Sequence, residues 1–176
     1  QFEGGLHVPF ILKWPARLPA SETYHEAVHH MDLMPTIAAA ANAVLPTDRK
    51  IDGVNLTPFI LGERSAPPHR TLFWRSGHHQ SVLHEGWKLI RANQPDQPAG
   101  TPQKKFLFYL STDPTEQRNL AEQRPDKLEE LETLLAVHNA EQVEPIWPSV
   151  IAGPMVIDKH GGQPYEPEDD YIYWPN

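Results

Sequence analysis

The sequence predicts an α+β fold, in which a small antiparallel sheet of about four strands packs against a C-terminal helix. Four short strand-like runs, the first of them rich in aromatic residues, indicate the strands, and an amphipathic run that begins at Pro125 indicates the helix. We expect one further strand and one further helix before this sheet. The stretch from residue 144 onward is rich in prolines and aromatic residues, which predicts an extended tail.

The first predicted element is a buried strand over residues 8–14. The run is mostly apolar, and Pro15 ends it because proline cannot donate a hydrogen bond to a neighbouring strand. Gly4 and Gly5 precede the run, and two glycines favour a tight turn. A chain that starts at such an element is expected to be the later part of a longer enzyme.

The next predicted element is a helix over residues 32–42. Asp32 is suited to cap its N-terminus, Pro35 is tolerated within the first turn, and Asn42 suits the position after the last turn. Alanines in its second half favour helix and allow close packing against a sheet. A short helical turn that ends at a glycine is expected at residues 57–62.

The sheet is predicted from runs at residues 71–75, 80–84, 87–91 and 106–110. The second and third runs are separated by Glu85-Gly86, and a two-residue connection that ends in glycine is typical of a tight hairpin. The four runs together predict an antiparallel meander.

The terminal helix is predicted to begin at Pro125, since proline favours the first helical position. Acidic residues follow at once, where the positive end of the helix dipole favours them. The side chains of one face recur at helical spacing, with His138 as a half-buried packing residue at the end of the stripe. The stripe consists of Leu128, Leu131, Leu134, Leu135 and His138.

Composition excludes several classes of function. The net charge of -8 and the pI of about 5.6 make nucleic-acid binding unfavourable, because an acidic surface repels phosphates. No apolar run reaches the length of a membrane span. The chain holds no cysteine, which excludes disulfides, thiolate metal sites and a cysteine nucleophile within it.

The sequence offers no nucleophile and no metal motif. No serine lies in a Gly-x-Ser-x-Gly elbow, and P-loop, dinucleotide-binding, HExxH and EF-hand patterns are absent. The tightest group of histidine and acid is His29-His30-x-Asp32. Neighbouring side chains on extended backbone point to opposite sides, so helix capping explains Asp32 better than a metal does.

The candidate binding residues are Arg75, His78 and His79. They lie between two predicted strands, beside Trp74, where a cationic and hydrogen-bonding loop could bind an anion or a sugar hydroxyl. An ordinary polar turn is the alternative interpretation.

Five motifs follow one another along residues 3 to 140. They are Glu3-Gly4-Gly5-Leu6-His7-Val8-Pro9, Asp32-Leu33-Met34-Pro35-Thr36, Asp52-Gly53-Val54-Asn55-Leu56-Thr57-Pro58, Glu85-Gly86-Trp87-Lys88-Leu89, and Phe108-Tyr109-Leu110 with Asp113-Pro114-Thr115-Glu116 and Asn119-Leu120. In this order they resemble the C-terminal part of type I sulfatases, the arylsulfatase-like, formylglycine-dependent members of the alkaline phosphatase superfamily. His7 stands where that family usually has Arg, so no charge role is carried over to that position.

The resemblance implies a sulfatase, a sulfuric ester hydrolase that acts on sulfated carbohydrates or aryl sulfates. It implies that residues 1–68 are the end of an α/β catalytic domain and supply its last strand and helix. Residues 69–143 would form a C-terminal subdomain of antiparallel sheet and helix, and residues 144–176 an extended tail.

The resemblance also implies that the catalytic apparatus lies before this segment. The family's nucleophile is a formylglycine made within a Cys/Ser-x-Pro-x-Arg motif, and oxygen ligands from Asp and Asn hold a Ca²⁺ ion. We therefore assign no catalytic and no metal residue here and expect the segment alone to be inactive. Arg75, His78 and His79 are the candidates for the wall of the substrate entrance.

The expected partners are the protein's own N-terminal catalytic part and a sulfate-ester substrate, with no nucleic acid and no membrane, in a periplasmic or secreted setting. Two alternatives stay open. The segment could be a non-catalytic remnant or binding module, or its parent could be a phosphatase or phosphodiesterase of the same superfamily.

Overall fold

A computed structural model describes residues 1–76, 79–92, 104–143 and Pro164. Its strands are β1 (Thr71–Ser76), β2 (His79–His84), β3 (Trp87–Ala92) and β4 (Lys104–Tyr109). Its α-helices are α1 (Glu3–Leu6), α2 (Leu33–Ala40), α3 (Thr57–Ile60) and α4 (Pro125–Ala140). The mixed fold class, the four-stranded sheet and the C-terminal helix are therefore confirmed.

The chain divides into two compact units. One, the sheet unit, comprises Gln1–Pro9 and the described residues from Thr71 onward; the other, the helical unit, comprises Phe10–Arg70. The first nine residues thus group with the sheet. The proposed domain division at residue 68 concerns a longer protein and stays a prediction.

The sheet is an antiparallel meander in the order β1-β2-β3-β4. Glu85 and Gly86 connect β2 to β3 with φ values of 48° and 81°. Both values lie in the left-handed region that a two-residue hairpin turn of this type requires. The hairpin that the sequence indicated is confirmed.

One face of the sheet packs against α4. Val82, Leu89 and Leu107 are register partners on three neighbouring strands, so their side chains lie side by side on that face. Leu131 and Leu135 of α4 cover them, and all five are almost fully buried. Burial of each such side chain stabilises the fold by about 1.5–3 kcal/mol relative to exposure.

The opposite face of the sheet, here called the far face, carries a second apolar cluster. Ile90, Phe106 and Phe108 are buried there, and the Phe2 ring packs against both phenylalanines at centroid distances of 5.7 and 6.1 Å. The start of the chain therefore covers the far face, while α4 covers the near one.

Asn119 covers the outer edge of β4. Its Oδ1 accepts a hydrogen bond from the Leu107 N–H at 2.9 Å, and its Nδ2 donates to the Lys105 carbonyl at 3.2 Å. The Leu120 N–H donates to the Leu107 carbonyl at 2.7 Å. These bonds satisfy the backbone of an edge strand that would otherwise be open to pairing with another chain.

The helical unit has a smaller apolar core. Its buried large side chains are Leu56 and Phe59, and its buried polar ones are Asp32 and Thr36. A 3₁₀ turn at His30–Asp32 leads into α2, and Asn42 follows that helix with a φ of 53°, as a residue after a helix end often does.

The buried strand expected at residues 8–14 is absent, and that prediction is wrong for this chain. Residues 8–14 belong to no strand, and Ile11 is 89% exposed. A strand must share its backbone hydrogen bonds with a neighbour, and the four strands of the described residues pair only with one another. The apolar run at residues 8–14 is therefore irregular chain outside the sheet.

The predicted tail at 144–176 lies outside the described residues except for Pro164. Within the described part of the chain, no helix is both long and apolar enough to cross a membrane.

Candidate functional site

The structure places two of the three candidate binding residues at one end of the β1–β2 hairpin. Arg75 is exposed near the end of β1, and His79 opens β2 with only 4% of its surface accessible. In the strand register Arg75 pairs with Gln80 and Ser76 pairs with His79. Arg75 and His79 therefore lie on opposite faces of the sheet. His78 lies outside the described residues, and the binding role of all three stays a prediction.

A buried charge cluster occupies the far face. The side chain of Lys88 is 0% exposed, and its Nζ donates a hydrogen bond to Glu3 Oε1 at 2.7 Å. The same Nζ lies 2.9 Å from Glu116 Oε1, and the Glu116 side chain is 3% exposed. Lys88 is the second residue of β3, Glu3 is the first residue of α1, and Glu116 lies in the turn after β4. We call these three residues the Lys88 cluster.

The Lys88 cluster holds the backbone of the chain start as well as its side chains. The Glu3 N–H donates to Glu116 Oε2 at 2.6 Å, so Glu116 binds both Lys88 and the main chain of residue 3. Gln1 Nε2 donates to the His79 carbonyl at 2.9 Å. Each of the first three residues, Gln1, Phe2 and Glu3, therefore contacts the far face or a residue of the Lys88 cluster.

Strand alternation explains why a lysine is buried here. Lys88 lies between Leu83 and Phe108 in the strand register, and its neighbour Leu89 points into the opposite, near-face core. An ammonium group in such surroundings needs charged partners, because desolvation costs several kcal/mol per ion. Glu3 and Glu116 supply them. An ammonium enclosed by two carboxylates serves as an ion pair, not as an accessible nucleophile.

A second polar centre, in the helical unit, is built around Asp32. The buried carboxylate accepts hydrogen bonds from the His29 N–H at 2.8 Å and from the Val54 N–H at 2.9 Å. His69 Nε2 lies 2.8 and 2.9 Å from its two oxygens. Thr36 Oγ1 lies nearby in sequence and accepts from the Leu56 N–H at 2.9 Å. This centre joins three separate loops of the unit.

These contacts show that the prediction of Asp32 as the side-chain cap of α2 is wrong. Asp32 does occupy the position before α2, but its side chain makes no capping bond to that helix. Its carboxylate is committed to His29, Val54 and His69, and it completes a capping box with His29 around the preceding 3₁₀ turn. Burial, followed by the adjacent His30 ring, lowers the pKa of His29, while Asp32 opposes this effect.

No group of three or more His, Cys, Asp or Glu side chains in the described residues could hold a metal ion. A shallow concavity of about 430 Å³ lies beside α4, and its walls include Asp126, Glu129 and Glu130 with His84. Three carboxylates repel an anionic sulfate, so this concavity is unsuited to such a substrate.

Sequence reasoning missed the two polar centres, although part of the signal was present. Lys88, Glu3 and Glu116 each lie within one of the five motifs, and Lys88 stands among the apolar residues Trp87, Leu89 and Ile90. A lysine at a buried strand position requires an acidic partner, which could have been sought in the other motifs. His69 offered no such signal, because 37 residues separate it from Asp32 and neither motif nor spacing links them.

Comparison with known proteins gives a consistent result. Residues 1–141 match the family model described as N-sulphoglucosamine sulphohydrolase, C-terminal. Arylsulfatase A of Bos taurus is 33% identical over 138 residues, which cover 68% of this chain and 27% of that protein. Steryl-sulfatase of Rattus norvegicus is 34% identical over 111 residues, which cover 57% of this chain and 18% of that protein. The chain thus spans about a quarter or less of the length of these relatives.

A solved structure shows the same fold. The crystal structure of Ps i-CgsB superposes with a TM-score of 0.61 at 22% identity, over 76% of this chain and 29% of that one. The crystal structure of the same protein in complex with k-i-k-neocarrahexaose gives equal values.

Proposed function

The chain belongs to the N-sulphoglucosamine sulphohydrolase C-terminal family, and from that membership we propose that it is the C-terminal portion of an enzyme that hydrolyses sulfate esters. The observation that carries the proposal is the family match over residues 1–141, which contains all five motifs in order. The arylsulfatases and steryl-sulfatases among the relatives support the same reaction class.

In the proposed enzyme the chemistry belongs to a part outside this chain. Formylglycine would be the nucleophile, and Ca²⁺ would neutralise the sulfate, both in the catalytic part. The described residues provide no cluster that fits a Ca²⁺ ion, so we derive no step through the metal here. Residues 1–68 would complete the catalytic domain, residues 69–143 would form the C-terminal subdomain, and residues 144–176 would form the tail.

The partner in this proposal is the protein's own catalytic part. The helical unit exposes large apolar side chains that a folded protein normally covers. They are Phe10, Ile11, Leu12, Leu33, Met34 and Ile37. We propose that the catalytic part covers this apolar surface.

The proposed substrates are sulfated carbohydrates or aryl sulfates. The net charge of -8 disfavours the long-range approach of an anion, so binding would depend on local cations and hydrogen-bond donors. Arg75, His78 and His79 are our candidates at the substrate entrance. The proposed setting of the enzyme is periplasmic or secreted.

The decisive experiment compares sulfate and phosphate ester hydrolysis by the complete protein. With 4-nitrophenyl sulfate we expect turnover that is lost on chelation of divalent cations and restored by Ca²⁺. With 4-nitrophenyl phosphate we expect much slower turnover. Hydrolysis of the phosphate alone would replace the sulfatase assignment by a phosphatase, and turnover of neither ester would favour a non-catalytic module. The present chain alone serves as the inactive control.

A further inference from the structure

Three segments distant in sequence meet at the ammonium group of Lys88, and both Lys88 and Glu116 bind Glu3. We propose that Lys88 and Glu116 are positioning residues: they fix the backbone of residues 1–3 on the far face and thereby set the position of the catalytic part that precedes these residues in the proposed enzyme. This inference rests on the proposed function.

The distribution of contacts along the chain start supports this role. Glu3 gives its N–H to Glu116 and its carboxylate to Lys88, and Phe2 packs on the far-face phenylalanines. The residues that follow are held much less. Gly4 and Gly5 have no neighbouring atoms within 4 Å of an added Cβ, and the His7 side chain is largely exposed although it approaches Glu3 Oε2 at 3.2 Å. The attachment is therefore strongest at the end that leads toward preceding residues.

The charged side chains of the Lys88 cluster also fit a positioning role better than a stabilising role. Buried ion pairs are often no more stabilising than apolar side chains of similar volume. Phe106 and Phe108 already give this face an apolar surface that holds Phe2. The two carboxylates and one ammonium add directional contacts, since Glu3 is bound through both its main chain and its side chain. Such contacts select one position of the backbone.

The backbone of Glu116 supports the same conclusion. Its φ of 56° lies in the left-handed region, which costs a side-chain-bearing residue roughly 1–2 kcal/mol. Glycine would avoid this cost, but it would supply no carboxylate for Lys88 and for the Glu3 N–H. A strained residue whose side chain makes essential contacts is typical of a functional constraint.

The test compares variants of the two faces in the complete protein, with 4-nitrophenyl sulfate as the substrate. Lys88→Met removes the ammonium of the cluster, and Glu116→Gln is the milder change. Leu131→Ala, which alters only the near-face core, is the control for loss of stability. All activities are measured at a temperature at which each variant is fully folded, and variants with similar losses of Tm are compared.

We expect Lys88→Met to lower kcat by about tenfold or more and Glu116→Gln by about threefold, because small misplacements of reacting groups cost large factors in rate. Leu131→Ala should keep kcat within about twofold of the parent despite its lower Tm. Equal kcat values for Lys88→Met and Leu131→Ala at matched Tm loss would overturn the proposal. If Lys88→Met does not fold, Glu116→Gln against Leu131→Val decides by the same criterion.

Hydrogen exchange separates this inference from the proposed function. If the parent hydrolyses no sulfate ester, the proposed function fails, but the positioning can still be judged. Lys88→Met should then raise amide exchange in residues 1–3 and in the segment before them at least about tenfold more than Leu131→Ala does. Equal exchange in the two variants would overturn the positioning role.

Discussion

The sheet unit and the helical unit differ in the contacts that stabilise each of them internally. Among the described residues, ten of the twelve buried apolar core residues lie in the sheet unit and only two in the helical unit. Eight of the eleven exposed large apolar residues lie in the helical unit. The sheet unit thus covers its own apolar surface. The helical unit is organised by the polar centre at Asp32 and leaves most of the exposed large apolar side chains on its surface.

Replacing Lys88 removes the cation of the Lys88 cluster and should cause the greatest loss of stability among these variants. Lys88→Met would leave the buried Glu116 carboxylate and the partly buried Glu3 carboxylate without a counter-ion, and we expect it to lower the free energy of unfolding by about 4 kcal/mol. Urea denaturation followed by tryptophan fluorescence measures this change. Lys105→Met is the matched control, because Lys105 pairs with Glu132 at the surface and should contribute less than about 1 kcal/mol. A loss below 1 kcal/mol for Lys88→Met would show that the cluster is not uniformly buried in solution.

The substitution Leu131→Ala tests the apolar core of the sheet unit. Leu131 is fully buried against Val82, Leu89 and Leu107, and truncation to alanine should cost about 3 kcal/mol through lost burial and a residual cavity. Val137→Ala, on the exposed side of the same helix, should change the free energy of unfolding by less than about 0.5 kcal/mol. Similar losses for the two variants would contradict the described packing of α4.

What the sequence could reveal differs between the two units for a physical reason. Strand alternation, the Glu85-Gly86 turn and the proline at the start of α4 are local signals, and the sheet unit follows from them almost completely. The Asp32–His69 contact and the three-way meeting at Lys88 depend on side chains brought together by the chain path, which no local pattern encodes. Residues 8–14 illustrate the converse case, since their local pattern predicts a strand but the four described strands pair only with one another.

A third prediction examines the polar centre of the helical unit. A Cβ atom added at Gly53 would lie 2.0 Å from the Met31 carbonyl oxygen, so Gly53→Ala must displace the loop whose Val54 N–H binds Asp32. We expect a loss of about 2 kcal/mol, as typical overpacking gives. Hydrogen exchange should report it mainly within residues 10–70. Gly4→Ala is the control, since open space surrounds that glycine. Unchanged exchange in Gly53→Ala would contradict the close approach to Met31.

A fourth prediction concerns the exposed apolar surface of the helical unit. Ile37 is 63% exposed, so Ile37→Ala should leave the stability of the present chain nearly unchanged. In the complete protein the same change should cost about 1–2 kcal/mol, provided that the catalytic part covers this side chain as proposed. The matched control is Val44→Ala, because Val44 is 91% exposed in a polar loop. This change should leave the free energy of unfolding of both proteins nearly unchanged. Equal effects of Ile37→Ala in the two proteins would exclude Ile37 from the proposed interface.

Each unit carries an exposed arginine–aspartate pair whose removal should hardly change stability at neutral pH. In the sheet unit, Arg124 holds the pKa of Asp126 at about 2, chiefly through hydrogen bonds of 2.9 and 2.6 Å. In the helical unit, Arg49 lowers the pKa of Asp48 in the same way, through bonds of 2.9 and 2.8 Å. Because each carboxyl group has a lower pKa in the folded chain, its contribution to stability is present above the unfolded pKa and is lost as pH falls through the folded pKa. For Asp126 the window runs from the ordinary value of 3.8 down to about 2.

Arg124→Gln and Arg49→Gln should therefore raise the pKa of the adjacent carboxyl group toward its ordinary value, as NMR titration of the side-chain carboxyl carbons would show. At neutral pH, both variants should have nearly the same free energy of unfolding as the parent, since exposed ion pairs are well screened by solvent. A marked loss of stability at pH 7 in Arg124→Gln alone would have a different cause. The Arg124 guanidinium also lies 4.8 Å from the Trp87 ring centroid, whereas Arg49 has no aromatic contact among the described residues. That outcome would show that Arg124 stabilises the sheet unit by stacking on the Trp87 ring and not by pairing with Asp126. Within the described part of the chain, Arg49 makes no such contribution to the helical unit.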